Sequence, residues 1–342
     1  MRQNGRWRGR DAGSSFGAKV GATTVSMTQA TVEAGNGEGG FGGGVSSDLA
    51  LVDGPDGPTV IKRARSQLKV RADWRSDPRR AMIEVAALQS MAEVLGEDCV
   101  PRVLWSDPAQ HRFAMALVPS RFRNWKNLLV AGETNTATAR RVGTLLGRLH
   151  RRTAEREDLA RRFDDRTFLI ELRIEPFFRR IAERHADLRP AVDEIVAQIL
   201  ACRLCLVHGD YSPKNMLVDG EEVVLLDAEV AHWGDPRFDV AFCLSHLLLG
   251  TICFPDFVEA RTRATQAFLD AYVAEGLDVL DHALSRQTGC LMLARVDGDS
   301  PLDYVAAPQH SKVIRVIARR LILDPPANPR EALDLVNDGS VR

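Results

Sequence analysis

Asp210 and Asn215 stand five residues apart in the polar segment HGDYSPKN, and Asp227 and Glu229 follow in LLDAE. Three carboxylates and an amide supply the hard oxygen donors that Mg²⁺ takes when it is held between a protein and substrate phosphates. The stretch between the two segments decides whether they meet. Met216-Leu217-Val218 and Val223 to Leu226 are β-prone runs on either side of Asp219-Gly220, a pair that tolerates the positive φ of a tight turn. A hairpin brings its outer ends together, so Asn215 should lie beside Asp227, with Asp210 on the preceding loop. A buried strand, Leu204 to Val207, leads into that loop. Taken singly, Asp and Asn in loops commonly shape turns; the spacing of the set points instead to a metal-phosphate site.

HGDYSPKN followed by LLDAE resembles the catalytic and metal loops of the aminoglycoside phosphotransferase superfamily, small-molecule kinases with a protein-kinase-like fold. DAE followed by a segment containing Phe238-Asp239 is similar to the DxE metal motif of a methylthioribose-kinase-like branch. Asn215 departs from that branch, which tends to carry Ser there while aminoglycoside kinases carry Asn, so the substrate stays open. The resemblance implies an α+β, bilobal protein-kinase-like fold. A small N-lobe antiparallel sheet with one main helix precedes a larger, mostly helical C-lobe carrying the catalytic hairpin. It also implies roles. Asp210 orients the acceptor hydroxyl and takes its proton; Asn215, Asp227 and Glu229 hold Mg²⁺; ATP or GTP is the phosphoryl donor. Asp239 and His208 are expected to support the loop, not to perform chemistry.

These residues need elements to position them. The segment GNGEGGFGGGVSSD (35–48) precedes two β-prone runs, Leu49 to Val52 and Thr59 to Ile61, that end in Lys62. A Gly-rich loop lets backbone N–H groups approach phosphate oxygens. Gly43, Gly44, Ser46 and Ser47 are therefore candidates for the phosphates; Val60-Ile61-Lys62 resembles the V-A-I-K strand of kinases, which implies that Lys62 binds the α- and β-phosphates. Ser76-Asp77-Pro78 opens a helix on which Glu84, Leu88, Met91 and Leu95 share one face. A glutamate on an apolar face asks for a buried cation, and Lys62 is the natural partner. The intervening KRARSQLKVRADW is strongly basic, either toward an anionic ligand or as a solvated face. Strands are expected at Val100 to Leu104 and Phe113 to Val118. By resemblance, Met115 to Pro119 is the hinge, placing Met115 and Leu117 against the nucleotide base. The rest reads as helices: a stripe through Val142 to Leu149, then Pro176 to Arg184, Pro190 to Cys202, Phe238 to Leu249, Phe254 to Ala274, Leu277 to Ala294 and Ser311 to Leu323. His150 reads as a helix-end residue. His232, Trp233, Asp235 and Arg295 are candidates for the border of the acceptor pocket, against a plainer reading as packing, capping or turn residues.

Composition narrows the class. The 342 residues carry a net charge of −1 and are 45% hydrophobic, which argues against a general nucleic-acid or membrane binder. No apolar run is expected to reach membrane-spanning length. Residues 1–34 read as a disordered tail, within which Met27 is an alternative start. The N-lobe is then 35–119 and the C-lobe 120–342. Arginines near the N-terminus have no apolar stretch behind them, against a secretory leader. Cys202 and Cys205 form a C-x-x-C without a second pair, so the cysteines read as thiols in a reducing cytoplasm. The loop is H-G-D without the Arg that reads a phosphorylated activation loop, and no A-P-E follows Gly234-Asp235-Pro236. Both absences favour a small-molecule acceptor, either a metabolite such as a sugar or nucleoside-like compound, or an antibiotic. A non-catalytic nucleotide-binding regulator is the reading from another class, and oligomeric state stays open.

Overall fold

The computed structural model describes residues 46–54, 57–67 and 75–337. Its first element is a four-stranded antiparallel sheet in the order β1-β2-β4-β3, formed by β1 (Ser47–Gly54), β2 (Gly57–Ala64), β3 (Val103–Asp107) and β4 (Arg112–Ala116). On β2 the two-residue period of a strand turns Val60, Lys62 and Ala64 to the interior and leaves Arg63 exposed. The helix α1 (Arg80–Leu95) crosses the sheet and buries Glu84, Leu88 and Met91 against it. It begins two residues after Pro78, with the Asp77 carboxylate accepting the Arg79 N–H at 2.8 Å.

The chain then becomes mostly helical, as the resemblance implied. After β5 (Arg123–Asn124) come α2 (Trp125–Val130), α3 (Thr136–Thr153) and α4 (Glu157–Arg162). A continuous helical run follows: α5 (Thr167–Leu169), a π-helical stretch Ile170–Arg179 with Pro176 inside it, and α6 (Arg180–Arg184). The expected helix at Pro176 thus begins earlier, and its middle is wound differently. Next, α7 (Arg189–Ala201) delivers the chain to β6 (Cys205–Val207), the catalytic loop and the hairpin β7 (Met216–Asp219) and β8 (Glu222–Leu225). Gly220 makes the turn at φ 58°. The hairpin extends into a three-stranded sheet with β5, and β6 pairs antiparallel with β9 (His232–Gly234).

The remaining helices are α8 (Pro236–Cys253), α9 (Val258–Ala274), α10 (His282–Asp297), α11 (Pro308–Leu323) and α12 (Glu331–Asn337). Against the expectation that no apolar run reaches membrane-spanning length, α8 is long and apolar enough to cross a membrane by length and composition, yet 94% of that window is buried within the protein. It is the central core helix, surrounded by α9, α10 and α11. Against α3, α9 comes so close that a Cβ on Gly143 would stand 2.1 Å from the Phe268 carbonyl oxygen. The tail 1–34, Gly43 and Gly44 lie outside the described residues.

Candidate active site

The catalytic loop leaves β6 at His208 and is fastened from α8. Both oxygens of buried Asp239 are used: Oδ2 accepts the His208 N–H at 2.7 Å and Oδ1 the Gly209 N–H at 2.9 Å. His150 lies 3.2 Å from the same carboxylate through Nε2, and its Nδ1 meets the Tyr272 hydroxyl at 3.0 Å. His150 stands in the last turn of α3, as expected, and is fully buried there, where it orients the Asp239 carboxylate. Gly209 turns the loop at φ 80°, where a Cβ would fall 2.4 Å from the Val230 carbonyl oxygen. His208 spans the loop: Nε2 meets the Leu226 carbonyl at 3.1 Å and Nδ1 accepts the Asp210 N–H at 3.2 Å.

Asp210 is buried and strongly cationic in its surroundings. Its Oδ2 receives Lys214 Nζ at 2.7 Å and Arg173 Nη2 at 3.1 Å. Arg173 also donates from Nε to the Gly209 carbonyl at 2.7 Å, so one guanidinium grips loop and carboxylate together. Burial would raise the Asp210 pKa, but Lys214 and Arg173 outweigh it and hold the carboxyl below its ordinary range. The second oxygen, Oδ1, is buried with no hydrogen-bond partner. Neither Arg173 nor Lys214 was singled out from the sequence. Lys214 carried a usable signal, being four residues after Asp210; Arg173 reaches the loop from the π-helical stretch and had none.

Asn215 sits where the hairpin argument places it. Its Nδ2 donates to the Asp210 carbonyl at 2.9 Å, and its own carbonyl accepts the Leu226 N–H at 2.9 Å, next to Asp227. Asp227 adopts φ 64°, a left-handed conformation uncommon for a residue with a Cβ. Carboxylate oxygens of Glu84, Asp227 and Glu229 lie within 4.8 Å of one another. Two cations answer them. Lys62 Nζ pairs with Glu84 at 2.7 Å and with Asp227, and Arg80 Nε pairs with Glu229 at 3.0 Å. Burial alone would lower the Lys62 pKa; Asp227, Glu84 and Glu229 overturn that and raise it, while burial pushes Glu84 up to about 8. The amide of Asn215 and the carboxylate of Asp227 are a hard-oxygen pair that fits Mg²⁺; Glu229 adds charge from within its pair with Arg80.

Of the residues expected to meet the nucleotide, Ser46 contributes its carbonyl to Arg80 Nη2 and to the Arg65 N–H, and the Ser47 hydroxyl is buried without a partner. Met115 is buried in β4 opposite Val60, and the Leu117 N–H donates to the Pro58 carbonyl at 3.1 Å. Three of the acceptor candidates have partners of the plainer kind. His232 is buried in β9 with Nδ1 on the Val230 carbonyl at 2.9 Å, and burial pushes its pKa down to about 4. Trp233 donates its N–H to the Phe163 carbonyl at 2.8 Å and accepts Arg166 on its own carbonyl. Asp235 caps α8 through the Arg237 N–H and takes Gln287 Nε2 at 2.9 Å. Arg295 is buried against Phe177 and Phe242, the rings that Arg173 also covers, and donates to Ser300 and His246 but to no carboxylate among the described residues.

The chain is 25% identical over 229 residues to a methylthioribose kinase of Exiguobacterium sibiricum, a match covering 59% of this chain and 58% of that protein. A methylthioribose kinase of Bacillus cereus is 23% identical over 279 residues, covering 70% of this chain and 69% of its own. The chain thus spans little more than half the length of the first of these relatives. Among solved structures, macrolide 2'-phosphotransferase from Brachybacterium faecium superposes with a TM-score of 0.50 at 21% identity, over 83% of this chain and 91% of that one. An amicoumacin kinase in complex with AMP-PNP and Ca²⁺ gives 0.52 at 13% identity, over 85% and 89%. The phosphotransferase enzyme family model matches residues 39–282, well over half of the sequence, and the chain belongs to that family.

Proposed function

We propose that this chain transfers the γ-phosphoryl group of ATP or GTP to a hydroxyl of a small molecule, with a sugar or nucleoside-like metabolite as acceptor. One observation carries the reading: Asp210 has one carboxylate oxygen clamped by Lys214 and Arg173, while the other is buried and unpartnered. That free oxygen is where an acceptor hydroxyl would give its proton. The hydroxyl oxygen attacks the γ-phosphorus, the bond to the β-phosphate oxygen breaks, the nucleoside diphosphate leaves, and the proton goes to Asp210. A carboxylate held below its ordinary pKa is a weak base. It therefore works mainly by orienting the hydroxyl and takes the proton late, as suits a loose transition state.

Asn215 and Asp227, with Glu229 close by, would hold Mg²⁺, which when bound offsets charge on the phosphate oxygens. Lys62, fixed by Glu84, would meet the α- and β-phosphates, together with the glycine-rich segment containing Gly43, Gly44, Ser46 and Ser47. Residues 35–119 would form the nucleotide lobe, with Met115 and Leu117 near the base, and 120–342 the acceptor lobe. The six cysteines are all free thiols, which supports a reducing, cytoplasmic setting.

The test is nucleotide consumption with Mg²⁺ across sugars (a methylthio-pentose among them), nucleosides, amino alcohols and aminoglycosides. Turnover on one class, reduced at least 10³-fold in Asp210→Ala with nucleotide affinity kept, is the expected result. Turnover that survives Asp210→Ala would remove the reading.

A further inference from the structure

The acceptor side of Asp210 holds more positive charge than the protein neutralises. Arg173 and Lys214 share the single carboxylate of Asp210. Arg295, 5% exposed, donates to the Ser300 carbonyl and hydroxyl at 3.0 Å and to His246 Nε2 at 3.2 Å, and has no carboxylate partner among the described residues. It packs against the same two rings as Arg173. Its guanidinium lies 4.7 Å from the Phe177 ring centroid and 5.5 Å from that of Phe242, and Arg173 lies 5.9 and 5.5 Å from those two rings. His246 accepts a hydrogen bond at Nε2, so its ring is neutral and leaves the balance unchanged. The nearby carboxylates are committed elsewhere: Asp297 to His185 and Arg315, Asp299 to Arg180. Toward the metal side, Glu84 and Asp227 serve Lys62, and Glu229 serves Arg80. Lys214 is partly exposed and also lies in the field of Asp227, so of the three cations it is Arg295 that is buried with no carboxylate to answer it, in a place where an uncompensated buried charge is costly.

We propose that the acceptor carries an anionic group, a carboxylate or a phosphate, beside the hydroxyl that is phosphorylated, and that Arg295 with Lys214 recognises it. This rests on the phosphotransferase reading above and narrows its substrate class. Arg295 stands on α10 and His246 on α8, in the helical half of the molecule and away from the sheet that carries Lys62. That location assigns the excess charge to the acceptor and not to the nucleotide. A polycationic aminoglycoside would add to the imbalance; an anion removes it.

The experiment uses the full chain with Mg²⁺ and ATP and compares four matched probes: glucose, gluconate, glucose 6-phosphate and glucosamine. ADP release and thermal stabilisation are both read. The expected result is at least a tenfold advantage in kcat/KM, or selective stabilisation, for an anionic member over glucose, with glucosamine last. Gluconate against glucose 6-phosphate then identifies the anion. Arg295→Met should erase the difference between anionic and neutral probes, and Arg295→Lys should retain most of it. Lys214→Met, at a half-exposed position, gives the same comparison if the Arg295 variants fold poorly. Equal treatment of the four probes, or a preference for glucosamine, overturns the proposal while Asp210-dependent turnover keeps the kinase reading. A loss in Arg295→Met confined to ATP affinity also overturns it, assigning the cations to the nucleotide. Failure to bind any nucleotide sinks the kinase reading itself.

Discussion

At the scale of single residues, the structure separates groups that look alike in sequence. His150, His208 and His232 are all buried, and two of them have work in fastening the catalytic loop. His232 has one ring nitrogen on a carbonyl and leaves Nε2 buried without a partner. Burial holds its pKa at about 4 against 6.5 for the free side chain. The unfolded chain therefore takes up this proton first as pH falls. The neutral buried form contributes nothing adverse above pH 6.5, and stability drains between 6.5 and about 4, by about 3 kcal/mol at most. Urea melts at pH 7.5 and 4.5 should show a stability gap that narrows by about 2 kcal/mol in His232→Gln. An unchanged gap would assign the acid sensitivity to other groups. Sequence marked His232 as a polar residue after the metal loop, but burial, which decides its behaviour, is a property of the packing around it. Lys62 and Glu84 were legible for the opposite reason: the helix period puts Glu84 on an apolar face that asks for a cation, and Lys62, marked by its likeness to the strand lysine of kinases, is the partner it meets.

Secondary-structure elements show where local patterns suffice and where they stop. The β7–β8 hairpin follows from Asp219-Gly220 and its flanking apolar runs, and it delivers Asn215 beside Asp227. Arg173 could not be found this way. A proline is at home in the first turn of a helix, so Pro176 reads as a helix start; instead it lies inside the π-helical stretch, whose wider turn breaks the 3.6-residue register that pattern reading relies on. That stretch places Arg173 on both Gly209 and Asp210. Arg173→Met should lower kcat by about 10- to 100-fold through lost alignment, leaving nucleotide affinity near wild type. Removing a cation from a carboxylate whose pKa is depressed lets that pKa rise, so the acid limb of kcat/KM should move to higher pH. A kcat loss without that displacement would reduce Arg173 to a packing role. Asp239 on α8 offers a companion test. Asp239→Ala leaves the N–H groups of His208 and Gly209 and the His150 ring without their acceptor, a loss of about 3 kcal/mol or more in urea unfolding. A loss below about 1 kcal/mol would mean that the loop finds other partners.

Across the whole molecule, ion pairs tie the sheet-and-helix half to the metal loop. Lys62 reaches Asp227 across 165 residues of sequence and Arg80 reaches Glu229 across 149. No local pattern could match Arg80 to Glu229; only the fold brings them together. Arg80 does more than pair. It also donates to the carbonyls of Ser46, Arg65, Ser76 and Asp77, so the start of β1, the end of β2 and the approach to α1 converge on one buried guanidinium. Glu229 is then the point at which the metal loop holds that hub. Breaking a buried pair from one side strands the other charge, so Glu229→Gln and Arg80→Met should each destabilise the protein, by about 3 to 5 kcal/mol at the upper end. The double variant should cost less than the sum of the two, with a coupling of about 1 to 3 kcal/mol. Urea unfolding of the four proteins measures that coupling, and hydrogen exchange over 46–64 locates it. Additive losses would show that Arg80 acts through its carbonyl bonds alone. Coupling with faster exchange in 46–64 would show that the acidic residue two places beyond Asp227 joins the halves, whatever it adds to the metal.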